Sequence, residues 1–341
     1  MHFFNVLLNF QIIFTKKTIV LSVYKKEFIA YLEQKVEVKE PKNLYEPIKY
    51  ILSLEGKKIR PILTLLAADT FGGDYKKALD AALAVEVFHN FTLIHDDIMD
   101  AAPLRRGHVT VHEKWNTNIG ILSGDAMLIQ AYQYLEGYDA HTFKRLIKLL
   151  SKTALEVCEG QQMDVDFEDR NDVSIDEYIT MITFKTSVLI AAALKMGAIV
   201  ANVDDVEAAK IYEFGLNLGL AFQLQDDYLD VFGNPETFGK QIGGDIIENK
   251  KTFLYLTALK NTTQKEKELL EKLYSNKLNE NQEKIEKVKS LFVTSLAADK
   301  TIKLINKYTQ KAFEILETIS TTTDKRQVLK DFGDTLMKRD V

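Results

Sequence analysis

Cysteine is almost missing from this chain: among 341 residues only Cys158 occurs. One thiol rules out an internal disulfide framework, cysteine-rich zinc modules and iron–sulfur clusters, and it fits a reducing, cytoplasmic location. Proline and glycine are also scarce, at 5 and 16 residues, whereas a β-sandwich or barrel needs a turn about every 8–12 residues. Positive charge is not in surplus either. With 44 Lys and Arg against 49 Asp and Glu, the chain lacks the basic footprint of a nucleic-acid binder. Long apolar runs are wanting too. The opening MHFFNVLLNFQIIF stops at Lys16-Lys17, short of the ~20 residues that cross a bilayer, and it lacks the charge order and cleavage site of a secretory signal. Residues 1–19 therefore read as an apolar leader outside the fold, and no stable membrane insertion is expected.

What is present is helical periodicity. Residues 78–95, ALDAALAVEVFHNFTLIH, are alanine-rich and apolar nearly all round, as a buried central helix should be. Similar runs cover 119–135, 178–200 and 206–232. Loops are marked at 71–74, 102–107 and 233–244 by glycine, proline and charge. From about residue 261, lysine, glutamate, asparagine and glutamine alternate with spaced Leu, Ile and Val, the pattern of amphipathic helices with solvated outer faces. With no linker and no solenoid repeat, the expectation is a single all-α domain over residues 20–341.

Two similar strings carry the chemistry: Asp96-Asp97-Ile98-Met99-Asp100 and Asp226-Asp227-Tyr228-Leu229-Asp230, each closing an apolar helix. At ~100° per residue, the first and last aspartates of each string share a helix face about 6 Å apart along the axis. Carboxylates crowded this way at the ends of buried helices need a counter-charge. Hard oxygen ligands of this number call for Mg²⁺ shared with substrate phosphates. If the two helices stand side by side, their clusters would clamp a diphosphate above an apolar cavity, the shape for a substrate with a diphosphate head and a hydrocarbon tail. Basic residues complete the picture. Lys57 and Arg60 would fall on adjacent positions of a helical turn, with Arg105, Arg106, Lys185 beside Thr186, Lys240, Lys250 and Lys251 further on. Together they would hold a second diphosphate without metal, arginine gripping it bidentately. The glycine-rich loop carrying Lys240 reads as a lid that excludes water.

The strings GKKIRP, FTLIHDDIMDAAPLRRG, GDAML, EGQQMD, FKTS, FQLQDDYLDVFG and GKQIGGDI, in this order over residues 40–255, resemble the trans-isoprenyl diphosphate synthases, or polyprenyl synthetases. The resemblance implies an all-helical isoprenoid synthase bundle around a deep central cavity, usually dimeric, so a homodimer is expected. It implies Asp96, Asp100 and Asp226 as Mg²⁺ ligands, with Asp97 and Asp230 in support and Asp227 and Lys185 completing the catalytic set. Lys57, Arg60, His89 and Arg106 resemble the isopentenyl diphosphate site. Arg105, Lys185, Thr186, Gln223, Lys240 and Lys250 resemble the contacts of the allylic diphosphate, and Asp245 is implied to reach a metal through water. The implied reaction ionises the allylic diphosphate, joins the cation to isopentenyl diphosphate and expels a proton. Glu55 stands where the family commonly has a second glycine, and Lys58 where it often has arginine; both are expected to lie apart from the residues carried over.

Product length is expected to depend on Phe88, Phe91 and Thr92 along the first-cluster helix. An aromatic five residues before the cluster beside a small residue resembles geranylgeranyl synthases, so a C20 product is favoured over the C15 farnesyl product. A class I terpene cyclase would replace the second aspartate string by an Asn/Ser/Glu pattern, and a non-catalytic partner subunit would lose one string or the basic residues. A di-iron bundle needs two Glu-x-x-His pairs, and here only Glu86 and His89 form one.

Overall fold

The computed structural model describes residues 21–234, 242–275 and 281–338; the leader and Lys240 lie outside the described residues. In chain order the helices are α1 (21–35), α2 (Lys42–Ser53), α3 (Ile59–Thr70), α4 (Leu79–Met99), α5 (Val111–Lys114), α6 (Thr117–Gln133), α7 (Ala140–Asp169), α8 (Ile175–Ile182), α9 (Val188–Val200) and α10 (Asp205–Phe232). They continue as α11 (Gly244–Ile247), α12 (Phe253–Asn261), α13 (Gln264–Ser275), α14 (Asn281–Thr294), α15 (Ala297–Glu317) and α16 (Thr323–Met337). Among the described residues the strands are β1 (Leu104–Arg105) and β2 (His108–Val109), one antiparallel hairpin. The fold is all-α. The chain divides into two compact units, one of Met1–Ser151, Ala193–Ala208 and Ser320–Val328, the other of Lys152–Ala192, Ala209–Ile319 and Leu329–Val341.

In the first unit α4 is the axis. Residues Ala81 to Phe88 are all buried, because alanines let neighbouring helices approach on several sides. Helices α3 and α6 pack closely on it. The start of α6 is fixed by Asn116, whose side chain accepts the Ile119 amide at 2.9 Å. Where α6 passes the end of α4, a Cβ on Gly124 would stand 2.3 Å from His95 Nε2; only glycine leaves room for that ring. The loop 102–107 folds as the hairpin. Its two turn residues, Arg106 and Gly107, have φ of 54° and 77°, the left-handed pair of a type I′ turn.

In the second unit α10 contributes Leu220, Leu224 and Val231 to the core. That core also gathers Tyr178, Met181, Ile246, Leu254, Leu270 and Phe292. Helix α8 begins with a capping box, Ser174 and Glu177 each accepting the other's backbone amide. The α8–α9 stretch is interrupted by a five-residue π turn, Thr183–Ser187, which periodicity did not foretell. Residues 175–200 are long and apolar enough to cross a membrane, but the most apolar part of that stretch is mostly buried inside the fold.

Candidate active site

In the first unit Asp96 and Asp97 sit on the last turn of α4, and Asp100 caps it, its amide donating to the Asp96 carbonyl at 2.9 Å. Asp97 is fully buried. Its Oδ1 receives Arg105 Nε and Nη2, both at 2.6 Å, while Oδ2 is buried with no hydrogen-bond partner. Burial raises the Asp97 carboxyl above its ordinary value, and Arg105 opposes that shift.

Beside these aspartates lies a knot of cations, with Lys58 buried, Arg60 half-buried and Arg106 exposed. Arg60, on the first turn of α3, donates from Nη1 to His89 Nε2 at 3.1 Å. A guanidinium has no acceptor, so that nitrogen accepts and His89 carries its proton on Nδ1. Burial, then Arg60, Arg106, Arg105 and Lys58, hold His89 well below its ordinary pKa, and the ring is neutral. Burial lowers Arg60 to about 10, although Glu86 supports its charge; burial lowers Arg106 as well, again against Glu86. Glu86, 2% exposed, meets Lys58 Nζ at 3.0 Å and accepts Asn90 Nδ2 at 3.1 Å. Three cations, Lys58, Arg60 and Arg106, thus surround one carboxylate, and the surplus positive charge suits a polyanion. The Arg106 guanidinium occupies space that a side chain on Gly56 would fill: a Cβ there would be 2.9 Å from Arg106 Nη1.

Two expectations need correction here. Lys57 is not on a helical turn with Arg60: it lies exposed in an irregular segment, because Lys58 adopts a left-handed backbone, φ 50°, ahead of α3. Nor does Lys58 lie apart from the residues around it. It is buried in their midst and bound to Glu86. Along α4, Phe91 packs 5.5 Å from Phe88 and edge-on to His95 at 4.8 Å, ring centre to ring centre. Thr92 turns its hydroxyl to the His89 carbonyl at 2.8 Å.

The second unit holds a cavity of about 140 Å³ lined by Asp164, Tyr178, Lys185, Thr186, Gln223, Asp227, Asp245 and Lys250, with Phe167, Met181 and Ile182 as apolar wall. Asp227 is its hub. Tyr178 OH donates to one oxygen, Gln223 Nε2 to the other at 2.8 Å, and Thr186 in turn donates to Gln223 Oε1 at 2.9 Å. Burial pushes Asp227 up to about 6 against those two hydrogen bonds. Asp245 is raised well above the ordinary carboxylate range by burial and by Asp227 and Asp230. Burial alone would lower Lys250, but Asp245, Glu248 and Asp164 outweigh it and hold the ammonium above its ordinary value. Lys185 Nζ bonds Asp164 Oδ2 at 2.5 Å, and Lys250 Nζ bonds Glu248 at 3.0 Å. The π turn presents Lys185 and Thr186 together, and it passes so close to α7 that a Cβ on Gly160 would stand 2.3 Å from the Lys185 nitrogen.

Do these carboxylates suit a divalent metal? Among the described residues no three His, Cys, Asp or Glu side chains are already gathered as a metal site. Mg²⁺ does not require that, since it is bound by one or two carboxylates with water and phosphate oxygens as the rest. The orphaned, buried Asp97 Oδ2 and the carboxyls of Asp227 and Asp245, raised by burial and then by neighbouring carboxylates, both mark a shortage of positive charge that a hard cation would relieve. The donors fit. Sequence reasoning left several partners without a role: Tyr178 and Asn90, to which no motif points, Asp164, though it ends the EGQQMD string, and Glu86, considered only for iron.

Residues 41–292 match the family model of the polyprenyl synthetases; the chain belongs to that family and is a prenyltransferase. It is similar to a geranylgeranyl pyrophosphate synthase of known structure, with 53% identity, a TM-score of 0.91, and coverage of 94% of this chain and 99% of that one. The geranylgeranyl pyrophosphate synthase of Geoglobus acetivorans is 36% identical over 91% of this chain and 95% of its own length. The geranylgeranyl pyrophosphate synthase of Corynebacterium glutamicum, crystallised with isoprenyl diphosphate and magnesium, is 25% identical with a TM-score of 0.82, over 95% of this chain and 98% of that one.

Proposed function

We propose that this chain is a Mg²⁺-dependent, short-chain trans-prenyltransferase that condenses isopentenyl diphosphate with dimethylallyl, geranyl or farnesyl diphosphate, with C20 geranylgeranyl diphosphate as its main product. The observation that carries the reading is the Lys58–Arg60–Arg106 cluster, three cations gathered around the single carboxylate of Glu86. There Arg60, Arg106 and neutral His89, with Lys57 at the edge, bind the diphosphate of isopentenyl diphosphate and orient its double bond. Lys185, Thr186, Gln223 and Lys250, with Arg105 and Lys240, hold the allylic diphosphate. Asp164, Glu248 and Asp97, which now pair with Lys185, Lys250 and Arg105, give up those cations to it.

Asp96, Asp100 and Asp226, supported by Asp97, Asp230 and Asp245, are the residues that would hold Mg²⁺, which when bound neutralises the charge developing on the departing diphosphate. Proton loss from the condensed cation needs no protein base, because the released diphosphate can accept it. Phe88, Phe91 and Thr92 set where the growing chain stops. The exposed apolar residues Ile121, Leu122 and Ile129 on α6 support a homodimer, and the lone, exposed Cys158 supports a cytoplasmic location.

The test is incubation of the purified chain with Mg²⁺, isopentenyl diphosphate and, separately, C5, C10 and C15 allylic primers, with products sized by mass spectrometry. A dominant C20 product is expected. A stop at C15 would keep the reaction and refute the product assignment; no elongation from any primer would refute the catalytic reading.

A further inference from the structure

Lys284 lies in the charged stretch whose pattern reads as a solvated face, yet it is 2% exposed. Burying an ammonium is costly unless something holds it, and the groups that hold this one are specific. Nζ donates to Asn249 Oδ1 at 2.5 Å and reaches the Ile247 carbonyl at 3.5 Å, with the Tyr274 ring centre 5.5 Å away. Burial lowers its pKa.

The acceptors matter because of where they stand. Helix α11 ends in a Schellman turn. Asn249 takes the left-handed position with φ 60°, its amide donates to the Ile246 carbonyl at 3.2 Å, and the Lys250 amide donates to the Asp245 carbonyl at 2.9 Å. Glycine is the usual residue there; asparagine is tolerated, and here its side chain also receives Lys284. The ammonium therefore caps the carbonyl end of α11 and pins the residue that reverses the chain. At the other end of α11, the Asp245 amide donates to Asp230 Oδ2 at 3.0 Å. The closing hydrogen bond of the turn joins Asp245 to Lys250 directly, and both line the cavity of the second unit.

We infer that Lys284 is a positioning residue: through Asn249 it locks the Schellman turn that fixes the spacing of Asp245 and Lys250 in the allylic-diphosphate pocket. This rests on the proposed function for the identity of the ligand, but not for the lock itself.

The test uses the full chain with Lys284→Met, which keeps the buried stem, Asn249→Gly, which keeps the left-handed backbone, and the double variant. Amide hydrogen exchange at Asn249 and Lys250 should accelerate about tenfold or more in each single variant and no further in the double, while exchange in α4 and α6 is unchanged. In elongation assays the KM for the allylic diphosphate should rise at least as much, with the KM for isopentenyl diphosphate unmoved, and Lys284→Arg should restore part of the loss. Unchanged exchange in Lys284→Met, or independent effects that add in the double variant, would overturn the inference. If the parent chain elongates no primer, the proposed function fails, and the exchange data alone decide the lock.

Discussion

The Lys58–Glu86 pair allows an asymmetric prediction. Glu86→Gln preserves shape and an acceptor for Asn90 but leaves the Lys58 ammonium, 5% exposed, facing a neutral amide. Its other partner is the Leu52 carbonyl at 3.2 Å. Removing one member of a buried pair costs about 3–5 kcal/mol, and the retained amide acceptor argues for the lower end, about 3 kcal/mol. Lys58→Met strands Glu86 instead, but Glu86 still has Asn90 and the charges of Arg60 and Arg106. The expected loss is smaller, about 1.5–2 kcal/mol, the lower end for a single hydrogen bond to a charged group. The double variant should be more stable than Glu86→Gln alone, because the unpaired ammonium is gone. Urea unfolding followed by helical circular dichroism at pH 7 measures all three. A Glu86→Gln loss under about 1 kcal/mol, or a Lys58→Met loss that equals it, would refute this account of the cation cluster.

Gly56→Ala should push the Arg106 guanidinium aside, since the new Cβ would be 2.9 Å from Nη1; the KM for isopentenyl diphosphate should rise about tenfold with kcat little changed in steady-state assays. Phe91→Ala removes a ring that is 8% exposed; it should cost about 3–5 kcal/mol of stability and lengthen the product by at least one five-carbon unit, and an unchanged product spectrum would refute a role for Phe91 in stopping the growing chain. His89 gives a pH signature. Its folded pKa lies well below the ordinary 6.5, so below that pH the unfolded chain binds a proton that the folded chain does not. Stability from this residue is therefore complete above pH 6.5 and is lost progressively as the pH falls below it. His89→Gln should flatten that part of the stability–pH curve by about one proton.

The long buried helices and the two aspartate strings were legible because each rests on local composition. An alanine-rich apolar run such as 78–95 has few alternatives to a central helix, and it appears as α4. Harder to read were features set by contacts distant in sequence or by single backbone angles. Lys57 and Arg60 seemed to share a turn because spacing assumes a continuous helix, and one left-handed residue, Lys58, cancels that assumption. Lys284 looked solvated because the polar pattern around it is solvated; its burial depends on Asn249 and Tyr274, which no local periodicity reveals. The hairpin at 104–109 was hidden by its brevity, and by an arginine where a turn of its kind prefers asparagine or aspartate.

The π turn at Thr183–Ser187 bears on how this chain tolerates change in length. A π turn is one residue more than an α-helix needs, accommodated locally so that the helices before and after it keep their facing. Losing one residue inside it would return the stretch to ordinary α-helix with its flanks in phase. Losing one from the middle of α9 would turn everything beyond by about 100°. The presentation of Lys185 and Thr186 thus resides in a surplus residue that the architecture can lose. A one-residue shortening there should yield a folded chain without the reach of its π turn, and over evolutionary time such a slip would silence the chemistry while sparing the scaffold.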